Sequence, residues 1–201
     1  MKIISKPRNE IAATPNDKRC VVIMQRYGTA LDFTRRWSPT MLMAIADNVD
    51  KSVAQDVPSL VMMMKTYGKD NIINNLKLFL VYMAGQMGAT NTNPEDLNTI
   101  AEMIVAATPL RTLNYAFVVT FFAKVLQGEF DVYSCKPHQF MKAMNNYAKA
   151  AHEKQQRLQR DKEREQEAEA YRQHQAEAVT YEQFAEERGL DPNENPLTKF
   201  V

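Results

Sequence analysis

Two cysteines in 201 residues, Cys20 and Cys135, are too few and too far apart to frame a disulfide scaffold. Their scarcity points to a reducing, cytoplasmic setting. No apolar run approaches the length of a membrane-spanning helix, and the opening "MKIISKPRNE" lacks the apolar stretch of a signal peptide. A soluble chain without membrane contact is expected. The six glycines form no phosphate-cradling loop. "YGKDN" pairs Gly68 with Lys69 but has neither the upstream glycine nor the Ser/Thr that would hold magnesium. Strand alternation is scarce as well, and only "CVVIMQRY", residues 20–27, fits a short strand as readily as a helix start.

Chemistry-bearing clusters are equally thin. "CKPH" sets Cys135 and His138 at the spacing of half a zinc site, but Cys20 stands alone and His152 and His174 fall in a polar run. As nucleophile and base, Cys135 and His138 lack an orienting third group. No paired carboxylates stand in an apolar context. Gly85 and Gly88 form a GxxG, which reads either as a helix C-terminus or as a nucleic-acid clamp that would need neighbouring strands. A non-enzymatic protein without metal or cofactor is the expectation.

What is present is apolar content of 45%, enough for one sizeable core, and a graded charge. Residues 1–37 carry eight Lys/Arg against three Asp/Glu, residues 38–150 nine against nine, and residues 151–201 eight against twelve. The plan this suggests is a basic N-terminal arm (1–37), a helical core (38–150), a polar helical extension (151–178) and a C-terminal docking segment (179–201).

Helix signals fill the core. "SPTMLMAIADNVDKSVAQ" opens with Ser38 as N-cap and Pro39 at the first position, and Met41, Leu42, Ile45, Val49 and Val53 follow at helical spacing. "DVPSLVMMMKTYG" starts near Asp56 and stops at Gly68. The third helix puts Ile72, Ile73, Leu76, Phe79, Leu80 and Met83 on one broad face. Asn93-Pro94-Glu95-Asp96 is the strongest start, because a cap, a first-turn proline and two carboxylates at the positive helix end agree. That helix runs to about Ala107, "TPLRT" breaks the chain, and Thr112 is placed to cap the next. In "TLNYAFVVTFFAKVLQG", Phe117, Val118, Phe121, Phe122, Val125 and Leu126 occupy more than one face, which predicts a central helix. The fold class is mainly α, an irregular orthogonal helical bundle with a long polar C-terminal helix and a short terminal helix.

The last long helix starts at Pro137 and packs back through Phe140, Met144 and Tyr147. Beyond Ala151 only Leu158 and Tyr171 are large and apolar before Val179, so a solvated helix is expected, about 60 Å long if continuous to Ala178 at 1.5 Å per residue. In "TYEQFAEERGL", Thr180 with Gln183 signals a fresh cap, and Tyr181, Phe184 and Leu190 supply an apolar face. Such anchors either fill a groove on a protein partner or fold back on the bundle.

Two further features offer binding chemistry. In "QRYGTALDFTRRWSP", Arg26, Arg35 and Arg36 alternate with Tyr27, Phe33 and Trp37. Arg26, Tyr27, Arg35, Arg36 and Trp37 are the candidate nucleic-acid contacts, with cations tracking phosphates and rings stacking on bases; the alternative is that the arm packs on the bundle with its guanidinium groups reaching water. Met62, Met63 and Met64 read as core filler or as part of an adaptable groove.

Pro58-Ser59-Leu60, Tyr67-Gly68, Phe121-Phe122, Gly128-Glu129-Phe130 with Tyr133, and the helix ending in Tyr147 together resemble a family of small uncharacterised helical proteins of bacterial phages and mobile elements. The resemblance covers residues 58–150, and this chain lacks the second glycine near Asp131 and the arginine after Tyr147. The family has no settled activity, so the likeness implies a helical fold and a mobile-element setting. A compact helical domain with a polar extension also resembles, in layout, the loaders of phage replicative helicases, which implies an accessory of DNA replication. The alternative is a structural or regulatory adaptor that binds protein and never meets nucleic acid.

Overall fold

The computed structural model describes residues 18–88, 92–132, 134–177, 183–184 and 188–189. It is mainly α, and the described residues form no strand, only an isolated antiparallel bridge between Ser59 and Asn114. In chain order the helices are α1 (Lys18–Tyr27), α2 (Ala30–Arg36), a 3-10 turn (Pro39–Met41), α3 (Leu42–Asp47), α4 (Lys51–Ala54), α5 (Leu60–Tyr67) and α6 (Lys69–Gln86). They continue as α7 (Pro94–Ala106), α8 (Thr108–Arg111), α9 (Tyr115–Leu126) and α10 (Pro137–Glu177). The chain divides into two units, residues 1–159 and 160–201.

In the first unit α9 is the central helix, with ten of its twelve residues buried, so it presents core to every side. It packs against α3, α5 and α6, and α6 in turn carries α7. Phe79 of α6 stacks on Phe122 at 5.6 Å between ring centroids, and Phe121 meets Phe140 edge-on at 5.3 Å. Tyr147 of α10 reaches the same cluster and donates its phenol proton to the Phe117 carbonyl at 2.8 Å. Ile72, Ile73, Leu76, Phe79, Leu80 and Met83 are all buried, as their spacing predicts.

The ends follow local chemistry. Asn93 Oδ1 accepts the Glu95 N–H at 3.0 Å and starts α7, as expected. Gly68, at φ 88°, closes α5 through its N–H to the Met64 carbonyl and begins α6 in the next residue. Three expectations are corrected. The cap of α9 is Asn114, whose Oδ1 accepts from Ala116 N at 2.9 Å, rather than Thr112, and "TPLRT" supplies the single turn α8. Helix α5 starts at Leu60, after Pro58, and Asp56 sits in a left-handed turn at φ 49°. The helix predicted from Ser38 is three short pieces, because Asn48 turns back on the Ala44 carbonyl at 2.9 Å and ends α3.

Residues 18–37 belong to the same core, so the boundary expected at residue 38 does not divide the packing. "CVVIMQRY" is helical, and Cys20, Ile23, Tyr27, Phe33 and Trp37 are buried. Helix α10 also holds the core further than Ala151. His152 Nε2 donates to the Pro109 carbonyl at 2.5 Å, Gln155 Oε1 accepts the Asn114 N–H at 2.9 Å, and Lys154 pairs with Asp50 at 2.6 Å. Polar side chains thus satisfy backbone groups of the α8–α9 connection that helix geometry leaves open. In the second unit α10 is helical to Glu177, and the described side chains from 163 to 175 are all exposed. No helix among the described residues is long and apolar enough to cross a membrane.

Candidate functional site

The α1–α2 corner builds the site. Gly28, at φ 78°, lies where a Cβ would come within 2.7 Å of Asp32 Oδ2, so the turn admits glycine and little else. Thr29 then caps α2 reciprocally: its Oγ1 accepts the Asp32 N–H at 3.3 Å, while Asp32 Oδ2 accepts the Thr29 N–H at 3.0 Å. The hydrogen bonds from Thr29 hold the Asp32 carboxyl below its ordinary pKa.

With α2 turned back on α1, Arg36 donates from Nη1 to the Arg26 carbonyl at 3.1 Å. Both guanidinium groups then lie over the Tyr27 ring, Arg26 at 5.6 Å and Arg36 at 5.4 Å from its centroid. Burial raises the Tyr27 pKa; the two arginines oppose that shift and Asp56 adds to it. Beneath them an aromatic cluster anchors α2. Phe33 stacks on Tyr67 at 4.8 Å, and Trp37 meets Tyr115 edge-on at 5.1 Å. The Trp37 carbonyl accepts from Asn75 Nδ2 at 2.8 Å, and Tyr67 donates to the Gly28 carbonyl at 3.2 Å.

Arg26, Tyr27, Arg36 and Trp37 border a cavity of about 670 Å³. Its apolar lining comes from Met41, Ile45, Val57 and Ala116. The antiparallel bridge brings the last two together, through Leu60 N–H to the Leu113 carbonyl and Tyr115 N–H to the Pro58 carbonyl. Trp37 Nε1 is sealed from water and meets no acceptor, a state that costs about 1–3 kcal/mol for a buried donor.

The predicted contacts therefore divide. Arg26, Arg35 and Arg36 are exposed, as phosphate contacts require. Tyr27 and Trp37 are buried at 7% and 5% exposure, so neither ring is free to stack on a base, and residues 18–37 pack on the bundle. The signal for that packing was in the sequence: Cys20, Ile23 and Tyr27 fall at i, i+3 and i+7, and Phe33 and Trp37 at i and i+4. Of the three predicted partner anchors, Phe184 is exposed with the Arg188 guanidinium 5.3 Å from its ring centroid, while Tyr181 and Leu190 lie outside the described residues. The expected cap at Thr180 also lies outside them.

The remaining candidates separate in the same way. Cys135 is buried, which raises its thiol pKa against a hydrogen bond with Thr92, whereas His138 is exposed. No three His, Cys, Asp or Glu side chains among the described residues converge on a metal-sized space. Met63 is fully buried, and Met64 borders a smaller cavity of about 330 Å³ with Val61 and Val105. Gly88, at φ 66°, comes just after the end of α6. No family model, curated protein or solved structure matches the chain.

Proposed function

We propose that the protein is a non-enzymatic interaction protein whose C-terminal segment, residues 179–201, engages a protein partner, with the polar part of α10 as the connector. One observation carries this reading: from 163 to 175 every side chain of α10 is exposed, Tyr171 to 65%. A helix polar on all faces buries nothing of its own, and its use is to carry the segment at its far end. Phe184, exposed in that segment, fits the role of an anchor. The wider setting we propose is an accessory role in phage or mobile-element DNA replication, supported by the resemblance of residues 58–150 and by the helicase-loader layout. Affinity capture with the full chain and with a chain lacking residues 179–201 tests the reading. The deletion is expected to abolish capture of the main partner and leave the thermal midpoint unchanged; retained capture would place the interface elsewhere.

A second reading, contact with nucleic-acid phosphates, is favoured by the three exposed arginines. Because the rings are buried, such contact would rest on charge alone. Arg35 does not border the cavity, so Arg35→Ala isolates this reading. It is expected to weaken DNA binding and flatten its salt dependence, and binding that ignores salt would remove the reading.

A further inference from the structure

We propose that the cavity at the α1–α2 corner binds a small organic anion, a carboxylate or phosphate head on a flat, uncharged body. Charge is the first argument. The lining includes two guanidinium groups and no carboxylate, and among the described residues neither Arg26 nor Arg36 reaches an acidic side chain within ion-pair distance. Asp56 acts on Tyr27 from nearby but does not line the cavity. The two cations are also held in place before any ligand arrives, Arg36 by the Arg26 carbonyl and both by the Tyr27 ring face. Fixed guanidinium groups with free N–H donors suit an oxyanion, which they bind through paired hydrogen bonds.

The second argument is the rest of the lining. Asn48 is occupied at both ends, by the Ala44 carbonyl and by Lys51 Nζ, and the Ser52 hydroxyl donates to the Val49 carbonyl. Gln55 adds one uncharged amide to the lining, and most of the remaining surface beyond the arginines is aromatic and aliphatic: Tyr27, Trp37, Met41, Ile45, Val57 and Ala116. A bare inorganic anion would leave that surface wet, whereas about 670 Å³ lies within the size range of pockets for small organic ligands.

Trp37 is the only tryptophan in the chain, so its fluorescence reports on this cavity without labelling. The experiment titrates the full chain with phenyl phosphate and phenylacetate, and with inorganic phosphate and benzyl alcohol as head-only and body-only probes at constant ionic strength. A saturable change is expected with at least one of the organic anions, and which of the two binds tighter assigns the head. Each single-part probe should bind about tenfold more weakly or worse. Arg26→Gln and Arg36→Gln should each weaken binding about tenfold. Ala44→Phe, which fills the space and removes no charge, should block it with an unchanged circular dichroism spectrum. Arg35→Ala should have no effect. No saturable change with either organic anion, inorganic phosphate binding equally well, indifference to both Arg26→Gln and Arg36→Gln, or displacement by a much tighter, salt-sensitive oligonucleotide would each overturn the assignment.

Discussion

The phenol of Tyr115 donates to Asn75 Oδ1 at 2.6 Å, and Asn75 Nδ2 passes the connection on to the Trp37 carbonyl at 2.8 Å. All three residues are buried, so this chain of hydrogen bonds ties α9 to α6 and to the end of α2 where water cannot substitute. Tyr115→Phe would leave the Asn75 oxygen without its donor, and a cost of about 1–3 kcal/mol is expected in chemical denaturation. Asn75→Leu should cost at least as much, because it strands both the Tyr115 hydroxyl and the Trp37 carbonyl. A change within error for both variants would mean that the chain of bonds does not hold the corner.

Phe121 and Phe122 are both fully buried, and each faces a different part of the core. Phe122 stacks on Phe79, while Phe121 touches Phe130, Phe140 and Tyr147. Each Phe→Ala substitution is expected to cost ~3–5 kcal/mol, a large share of a domain's ~5–15 kcal/mol. Thermal midpoints of the two single variants check this, and a neutral result at either position would show that α9 has an accessible face.

These two phenylalanines were legible because helical spacing and an unbroken apolar run agree, and the same holds for α6 and for the Asn93 cap. The α1–α2 corner was not. Its arginines dominate the reading of residues 26–37, although the charge lies on the exposed face and Phe33 and Trp37 lie on the buried one. The Thr29–Asp32 cap was equally available as a threonine with a carboxylate three residues later, yet only the turn at Gly28 makes it matter, by returning Arg36 to Tyr27. The break at Asn48 depends on a side chain choosing a backbone carbonyl over water, which periodicity does not record. The cavity itself arises from residues as distant in sequence as Arg26 and Ala116, and no local pattern foretells it.

Removing residues 1–37 discriminates between an appended arm and a built-in one. The deletion takes away Cys20, Ile23, Tyr27, Phe33 and Trp37, all buried in the core. At ~1.5–3 kcal/mol for each large apolar side chain, the loss rivals the whole stability of a domain. The truncated chain should therefore fail to show a cooperative thermal transition. A sharp transition near that of the full chain would mean that residues 38–150 close their own core.

Alkaline pH should unfold the protein through its buried phenols. Burial pushes Tyr67 from 10.0 up to about 12, with smaller contributions from Tyr27 and Asp32 in the same direction and from Arg36 against it. Burial also raises Tyr115, Tyr147 and Tyr27 above their ordinary value. A folded-state pKa above the unfolded one means that the unfolded chain gives up its proton first as pH rises. The contribution of Tyr67 to stability is thus fully present below pH 10 and is lost between 10 and about 12, while Tyr115 and Tyr147 extend the fall beyond that window. Denaturation midpoints measured from about pH 8 to about pH 12 should be level at first and then decline, with phenolate absorbance rising together with unfolding. Tyr67→Phe removes the hydrogen bond to the Gly28 carbonyl and should lower stability at neutral pH, yet it should make the decline above pH 10 shallower. A decline of unchanged steepness in that variant would assign the alkaline transition to the other buried tyrosines.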